Sequence, residues 1–399
     1  MVKSPSTPDA DAQDGGMRWL SIAAAIASIS VVGMAIGLGV PLLSVILETR
    51  GYSATTIGAN TAVAGIASIV AAPFATPLAA RFGVVPVMLA SIIAGGIAFV
   101  GFYVAPFWAW FPLRAVLHFA LTVLFILSEF WISTSAPPHR RGLILGVYAT
   151  VLSLGFAFGP WLFAQIGSAG FAPFGVAFAL IVLAAIPVSL AWRESPDIAG
   201  SSHGASEGGF VRYIWMVPTA TAAVLVFGAV ETGGFALFPV YGARIGYTEA
   251  DAALLLTAVG LGNVLLQIPL GLVSDRMRDR RTLLAICAFV GLAGVLVLPF
   301  AAGSWRLSAA ILFVWGGVVA GLYTVGLAHL GSKLSGRDLA SANAAFILCY
   351  GIGMLVGPQA IGIGMDIAGP NGFAWTLALF FAAYLVLAAA RLLAIPIRR

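Results

Sequence analysis

The sequence predicts an all-α integral membrane protein with twelve transmembrane helices, arranged as two pseudo-symmetric six-helix bundles. Of its 399 residues, 61% are hydrophobic and only 9% are charged, whereas about 25% of the residues in a soluble domain are charged. Apolar runs of about 20 residues, the length that crosses a bilayer as a helix, recur along the whole chain. The two halves of the chain also share sequence, which predicts an internal repeat.

The twelve predicted helices follow one another with short connections, apart from a single longer one. Their windows are 18–43, 56–80, 84–104, 108–134, 142–166, 173–192, 213–243, 249–274, 282–302, 307–330, 339–364 and 373–396. The longer connection, 193–212, is rich in Ser, Gly and charged residues, which is typical of a flexible linker. It separates an N-terminal bundle, 18–192, from a C-terminal bundle with a short basic tail, 213–399. Residues 1–17 form a polar tail without the basic start and apolar core of a cleavable signal peptide.

Lys and Arg are distributed unevenly between the two ends of these helices. With the N-terminus in the cytosol, sixteen lie on the cytosolic side and Arg50, Arg244 and Arg306 lie on the far side. Arg114 alone lies within a helix. The asymmetry follows the positive-inside rule. It predicts a multi-pass protein of the bacterial plasma (inner) membrane, with a cytosolic linker and both termini cytoplasmic.

Two pairs of segments carry the repeat. The stretch "RGYSATTIGANTAVAG" (50–65) aligns with "IGYTEADAALLLTAVG" (245–260), and "GFAFGP" (155–160) matches "GMLVGP" (353–358). Parallel repeats are typical of transporters whose substrate site lies between the halves. The Gly-Pro segments are predicted to bend helices or to allow close packing, and we interpret them as hinges: Gly155, Gly159, Pro160, Gly353, Gly357 and Pro358. Gly233 and Gly234 before Pro239 predict a break in the seventh helix.

The stretch "GLVSDRMRDRRTLL" (271–284) resembles a loop signature of the major facilitator superfamily (MFS), and the likeness extends over nearly the whole chain. The signature's glycine, Asp-Arg pair and basic pair correspond to Gly271, Asp275, Arg276, Arg280 and Arg281. In the first half, the equivalent loop "TPLAARFGVVP" keeps an arginine and a glycine but has alanine in place of the aspartate.

Two further segments support the resemblance. Arg114 in "PLRAVLH" resembles the fourth-helix arginine of the superfamily, although His118 stands where a glycine is usual. "GFAFGP" resembles a fifth-helix motif typical of exporters that exchange substrate for protons, although Phe163 and Ala164 replace its closing glycine pair. The likeness is to uncharacterised bacterial exporter-like groups. It implies a secondary active transporter that works by alternating access, with helices one, four, seven and ten lining the cavity.

Six of the seven residues from Asp275 to Arg281 are charged. We interpret this loop as a cytosolic latch between the halves, formed by Gly271, Asp275, Arg276, Arg280, Arg281 and Glu129. Asp275 would lie at the N-terminus of the fifth helix, where the helix dipole favours an anion. The arginines would reach Glu129 near the cytosolic end of the fourth helix. In the alternative interpretation, these arginines only obey the positive-inside rule.

The candidate central site contains Glu231, Arg114 and His118. Charges within transmembrane helices face a bundle interior or a wet cavity, because exposure to lipid is costly. Glu231 and Arg114 lie at comparable depth in helices of opposite halves, so movement of the arginine would change whether Glu231 holds a proton. The alternative is a static ion pair. His118 would relay protons or hydrogen-bond a neighbouring carbonyl.

Interior polar residues are few and aromatic residues are many, which favours an apolar or amphipathic substrate. The polar ones are Asn60, Tyr148, Asn263, Tyr323, Asn343 and Tyr350. The sequence thus predicts proton-coupled export of small organic, drug-like or metabolite molecules. Import or facilitated passage of a polar nutrient, such as a sugar or organic acid, is the first alternative. A non-transporting membrane sensor or assembly factor is the second.

Enzyme chemistry is not expected, because no nucleophile–base pair, metal cluster or phosphate-binding loop is present in the sequence. No cofactor and no metal site are predicted. The net charge of +5 is explained by topology and does not indicate nucleic-acid binding. The expected partners are a small-molecule substrate, protons and membrane lipids, and a monomer satisfies every feature of the sequence.

Overall fold

The computed structural model of the chain describes residues 18–137, 140–196, 211–277 and 279–393, and within these ranges it contains helices and no strands. The predicted tail at 1–17 lies outside the described residues, as do the central part of the predicted linker and the last part of the basic tail. Arg278 of the charged loop is also outside them.

Twelve helices of the described chain are long and apolar enough to cross a membrane, as predicted. They are α1 (Trp19–Thr49), α2 (Ala54–Phe82), α3 (Val84–Val104), α4 (Phe107–Ser135), α5 (Leu143–Ile166), α6 (Ala172–Leu190), α7 (Pro218–Arg244), α8 (Glu249–Arg276), α9 (Arg280–Ala301), α10 (Trp305–Lys333), α11 (Ser341–Ala368) and α12 (Asn371–Arg391).

Interruptions occur in two of these helices. The helical pattern of α6 is interrupted at Ala184 and that of α10 at Ala320. The predicted break in the seventh helix is wrong, because α7 is continuous from Pro218 to Arg244. Pro239 lies within α7, where neighbouring helices and small local adjustments can accommodate the lost backbone hydrogen bond.

The internal repeat reappears in the local structure at the starts of α2 and α8. Gly51 and Gly246 precede these helices with φ of +82° and +95°, a conformation that glycine adopts without steric cost. Two residues later, the side chain of Ser53 accepts a hydrogen bond from the Thr56 amide, and Thr248 forms a capping box with Asp251. The shared "GYS" and "GYT" segments are therefore equivalent turn-and-cap structures.

The packing within each half follows the same scheme, with every partner shifted by six helices. In the first half, α1 packs against α4 and α5, α4 against α2 and α3, and α3 against α6. In the second half, α7 packs against α10 and α11, α10 against α8 and α9, and α9 against α12. We call these two halves the N lobe and the C lobe.

Within each lobe, glycines bring one pair of helices into backbone contact. A Cβ atom at Gly155 would lie 2.7 Å from the backbone of Gly33, and one at Gly159 would lie 2.5 Å from that of Gly37, so α1 and α5 touch through all four glycines. In the C lobe, the glycines of "GMLVGP" lie against the backbone of α7 in the same way. Small residues let membrane helices approach closely. The predicted close packing is present, whereas a hinge movement stays a prediction.

Among the described residues, the close backbone contacts between the two lobes lie at one end, which we call the sealed end. Gly58 and Gly65 of α2 lie against the backbone of α11, and Gly260 of α8 lies against Ala157 of α5. At the other end, which we call the linker end, the continuation of the same helix faces is exposed. The exposed residues include Thr76 and Ala80 of α2, Thr150 of α5 and Ile347 of α11.

Alanine at Gly159 is expected to destabilise the protein, because its Cβ would collide with the α1 backbone. Overpacking of this kind costs about 1–3 kcal/mol. Gly146→Ala is a matched control on the same helix, since no atom lies within 4 Å of the added Cβ. Thermal unfolding of the purified variants, followed by tryptophan fluorescence, should show a lower unfolding temperature for Gly159→Ala only. Equal unfolding temperatures would contradict the packing of α1 on α5.

Candidate functional site

An ion-pair network joins the lobes at the sealed end. Arg244, the last residue of α7, donates from Nε to Glu48 Oε1 at 2.9 Å and from Nη2 to Glu48 Oε2 at 3.3 Å, close to the end of α1. The Arg244 Nη1 atom also lies 3.8 Å from Oδ1 of Asp366 in α11. The three side chains are 21–29% exposed. At such exposure an ion pair contributes little, about 0–1 kcal/mol.

Asp366 also caps a helix of the opposite lobe. Its carboxylate accepts hydrogen bonds from the backbone amides of Ala54 at 3.0 Å and Thr55 at 2.8 Å, the first two residues of α2. These amides have no partner within their own helix, and the helix dipole favours an anion there. The cap therefore holds the C lobe to the N lobe through main-chain groups.

A third polar link lies at the same end. The Glu249 carboxylate at the start of α8 accepts a hydrogen bond of 2.9 Å from the Ser168 hydroxyl and one of 3.3 Å from its amide, between α5 and α6. Sequence reasoning missed all of these contacts. Arg244 was noted only for its side of the membrane, and no sequence pattern joins it to Glu48, 196 residues away.

The charged loop at the linker end pairs within itself. Arg280 donates to Ser274 at 3.1 Å and to Asp275 at 3.3 Å. Arg281 donates to both oxygens of Asp279, at 3.0 Å from Nε and 2.7 Å from Nη2. These hydrogen bonds from Arg281 hold the pKa of the Asp279 carboxyl below its usual value.

The predicted latch contact is not made in this conformation. Within the described part of the chain, no ion pair joins Glu129 to Arg276, Arg280 or Arg281. Glu129 is exposed on α4 at the linker end. Asp275 is 75% exposed, so it does not cap the fifth helix here. Both contacts would require the linker ends of the lobes to approach each other, which stays a prediction.

Arg114 lies inside the N lobe rather than between the lobes. Its side chain is 1% exposed, and Nε donates to Asn60 Oδ1 of α2 at 2.8 Å. The guanidinium carbon lies 5.9 Å from the centre of the Phe102 ring of α3. Both Nη atoms are buried without a partner among the described residues. The structure does not bring Arg114 to Glu231, so a static ion pair between them is absent from this conformation.

Glu231 lies midway along α7 and is partly exposed. The Tyr350 hydroxyl of α11 donates to it at 2.6 Å. Tyr350 belongs to a cluster of three rings, with Phe227 and Tyr323, whose centres are 5.8–6.2 Å apart. The sequence had identified Glu231 and the interior tyrosines separately, and the fold places them side by side.

Glu231 also lines a cavity of the C lobe. The lining is mostly apolar and includes Phe235, Phe238, Trp315 and Phe373. Glu231 is the only charged residue among those that line this cavity in the described structure, and Asn263 of α8 is the only amide. The cavity has a volume of about 50 Å³, well below the roughly 300–1,000 Å³ of a typical small-molecule site, so in this conformation it accepts one small apolar group.

His118 is buried in α4, with 4% exposure. Its backbone carbonyl accepts a hydrogen bond of 2.8 Å from the Thr122 hydroxyl, which also lies 3.0 Å from the Ser68 hydroxyl of α2. Among the described residues, no hydrogen bond involves the imidazole ring, so the predicted bond to a neighbouring carbonyl is not seen. A role for His118 as a proton relay stays a prediction.

No described residues form a metal site, since groups of three or more His, Cys, Asp or Glu side chains with suitable geometry are not found among them. Cys287 and Cys349 are both buried and free.

Comparison with known proteins identifies the family. The family model of the Major Facilitator Superfamily matches residues 25–253 and 220–399. The chain is 28% identical over 349 residues to the uncharacterized MFS-type transporter YfkF of Bacillus subtilis (strain 168), covering 84% of this chain and 86% of that protein.

Two solved structures share the fold. A mutant of the nucleoside transporter NupG is similar with a TM-score of 0.76 and 15% identity, covering 95% of this chain and 99% of that one. A bacterial homolog of the human lysosomal transporter Spinster, in an inward-facing and unoccupied conformation, has a TM-score of 0.71 and 15% identity, covering 94% and 96%. At this identity, the likeness concerns the fold alone.

Replacing Asp366 by alanine is expected to open the sealed end, because it removes the cap of α2 and the second partner of Arg244. Loss of a helix cap costs about 1 kcal/mol, which corresponds to a roughly fivefold shift between conformations. Spin labels on cysteines at Thr49 and Gly303, two exposed positions at the sealed ends of the two lobes, would report their separation by pulsed electron resonance. Cys287 and Cys349 would first be replaced by serine.

The matched control is Glu194→Ala at the linker end. Glu194 accepts hydrogen bonds from Ser21 within the N lobe, so its loss should leave the measured separation unchanged. We expect longer distances to become more populated in Asp366→Ala alone. The same distance distribution in both variants would show that the Asp366 contacts do not hold this end closed.

Proposed function

The chain belongs to the Major Facilitator Superfamily and is a multi-pass membrane transporter, and from this premise we propose that it exports small organic molecules in exchange for protons. The proposed substrates are drug-like or metabolite molecules of apolar or amphipathic character. The observation that carries the proposal is Glu231, the one carboxylate of a mostly apolar cavity in the described structure, which accepts a hydrogen bond from the hydroxyl of Tyr350.

The proposal of alternating access is supported by the difference between the two ends of the molecule, since the lobes are joined at the sealed end and apart at the linker end. The lobes are joined at the sealed end by glycine contacts and by the Glu48–Arg244–Asp366 network. The polar links are partly exposed, so water can replace them at small cost when the lobes separate. The opposite conformation would close the linker end, and there we propose that Glu129 pairs with the charged loop.

Glu231 is the proposed coupling acid. Ionised, it attracts a positive charge into the cavity, and protonated, it presents a neutral group to the same apolar lining. Loading and release of a proton would thus change what the cavity binds. Arg114 and His118 lie within the N lobe, so they can act in coupling only after a rearrangement. We propose such a role because both are buried and because neither Nη atom of Arg114 has a hydrogen-bond partner among the described residues.

Export is the proposed direction because "GFAFGP" (155–160) resembles the fifth-helix motif of exporters that exchange substrate for protons. The linker end, which is open here, is the end that the positive-inside rule assigns to the cytosol. We likewise propose the bacterial inner membrane, cytoplasmic termini and the division into 18–192, 193–212 and 213–399. The apolar cavity lining disfavours the alternative of a sugar or organic-acid importer, since such substrates need converging polar groups. A non-transporting sensor would bind ligand without moving it.

Glu231→Gln is expected to uncouple transport from protons, because the amide keeps the shape of the carboxylate but does not titrate. In vesicles with an imposed pH gradient, the native protein should transport faster than without the gradient, whereas the variant should transport at one rate under both conditions. Glu194→Gln, an acid outside the cavity, serves as the control. Undiminished response of Glu231→Gln to the gradient would remove Glu231 as the coupling acid.

Asp275→Asn is expected to slow transport several-fold, because the closed linker end would lose one of the proposed latch charges. Flux would be measured in vesicles in which protease protection shows the fraction of correctly inserted protein. Rates equal to those of the native protein, at equal insertion, would leave the charged loop with a topological role alone.

A further inference from the structure

The intramembrane charges of this protein are distributed so that its accessible interior is acidic. The membrane-spanning segments contain three charged residues away from their ends: Arg114, Glu129 and Glu231. The two carboxylates are exposed or partly exposed, whereas Arg114 is 1% exposed. The guanidinium bonds to Asn60 and lies over the Phe102 ring inside the N lobe. Away from the ends of these segments, the accessible charges are therefore negative.

The surroundings of Glu231 suit a positive centre. Three aromatic rings lie on the side toward the linker end, and their centres are 5.8 Å apart for Phe227 and Tyr323, 5.9 Å for Tyr323 and Tyr350, and 6.2 Å for Phe227 and Tyr350. The negative face of an aromatic ring attracts a cation, and the attraction grows when the site is desolvated. The hydrogen bond from Tyr350 orients the carboxylate at the edge of this cluster.

On its other side, Glu231 borders the apolar cavity of the C lobe. Phe235, Phe238, Trp315 and Leu377 are among the lining residues. Trp315 directs its indole N–H away, to the Gly291 carbonyl at 3.0 Å, so it presents ring surface rather than a donor. One end of the site thus offers a carboxylate with aromatic rings, and the other offers hydrocarbon.

We propose that the transported molecule is an organic monocation with an apolar body. Its positive centre binds at Glu231 against Phe227, Tyr323 and Tyr350. One apolar group enters the C-lobe cavity, and the rest of the body lies between the lobes on the side of the open linker end. This inference rests on the proposed function, because it assigns the substrate class of the same site. A single carboxylate balances a single positive charge, and an anion would meet the acid with no cation to compensate it. A sugar would leave its hydroxyls without partners on the apolar lining.

The test uses two ions of the same shape and opposite charge, tetraphenylphosphonium and tetraphenylborate. Binding of each radiolabelled ion to the purified protein is measured by scintillation proximity without a proton gradient, so the outcome does not depend on proton coupling. We expect the phosphonium to bind and the borate to bind at least about tenfold more weakly. Glu231→Gln should weaken phosphonium binding by at least about tenfold, in line with loss of one partner of a desolvated charge pair.

Two further variants keep the test decisive. Glu129→Gln removes the other carboxylate and should change phosphonium binding much less, since Glu129 does not line the cavity. Phe227→Leu keeps the charge but removes a ring, and should weaken the phosphonium several-fold without strengthening the borate. Equal binding of the two ions by the native protein would overturn the proposal, as would undiminished phosphonium binding by a correctly folded Glu231→Gln variant.

Because the assay has no gradient, it separates the two proposals. Charge-selective binding that depends on Glu231, combined with flux insensitive to pH, would retain the cation site and reject proton coupling. Proton-driven flux of an uncharged compound, combined with equal binding of the two ions, would do the reverse.

Discussion

The low dielectric of the membrane interior is the constraint on which the rest of this structure depends. A charge placed at the centre of a bilayer costs several kcal/mol unless it is paired or hydrated. Within the spanning helices of the described chain, only Arg114, Glu129 and Glu231 are charged away from the helix ends. The three side chains have different surroundings. Arg114 is enclosed by its own lobe, Glu129 lies exposed near the linker end, and Glu231 is held by Tyr350 beside an apolar cavity.

The same constraint explains why helices meet through glycine. Apolar side chains gain little by leaving lipid for another helix, so close backbone contact supplies the attraction. The contacts of Gly33 with Gly155 and of Gly37 with Gly159 join α1 to α5 within the N lobe. Between the lobes, Gly65 and Gly260 make contacts of the same kind, but only over the half of each helix near the sealed end. Glycine therefore mediates the contacts within a lobe as well as those between the lobes, but the contacts between the lobes cover only part of each helix.

The polar links of the sealed end are suited to reversible closure. Asp366 binds main-chain amides of α2, and Arg244 binds Glu48 with two hydrogen bonds. All of these groups are close enough to the surface to exchange their partners for water. At the linker end, where the lobes are apart, the charged loop forms ion pairs within itself. Arg280 and Arg281 pair with Asp275 and Asp279 of the same loop, so these two charges remain neutralised while the lobes are apart.

The sequence by itself determined the membrane class, the number of helices and the twofold repeat, because these depend on hydropathy and on local turn chemistry. The matched segments around Gly51 and Gly246 are an example, since each encodes a positive φ and a cap within a few residues. Glu231, Arg114 and His118 were also identifiable, because a charge or a lone histidine within an apolar run is conspicuous.

Tertiary structure alone decided which of these residues meet. Comparable depth had suggested Arg114 as the neighbour of Glu231, but depth along a helix does not determine the direction in which a side chain points. Arg114 turns toward Asn60, and Glu231 bonds to Tyr350, 119 residues further along the chain. The sealed-end contact of Asp366 with Ala54 spans 312 residues. Such pairings arise from the packing of whole helices, and no local pattern in the sequence encodes them.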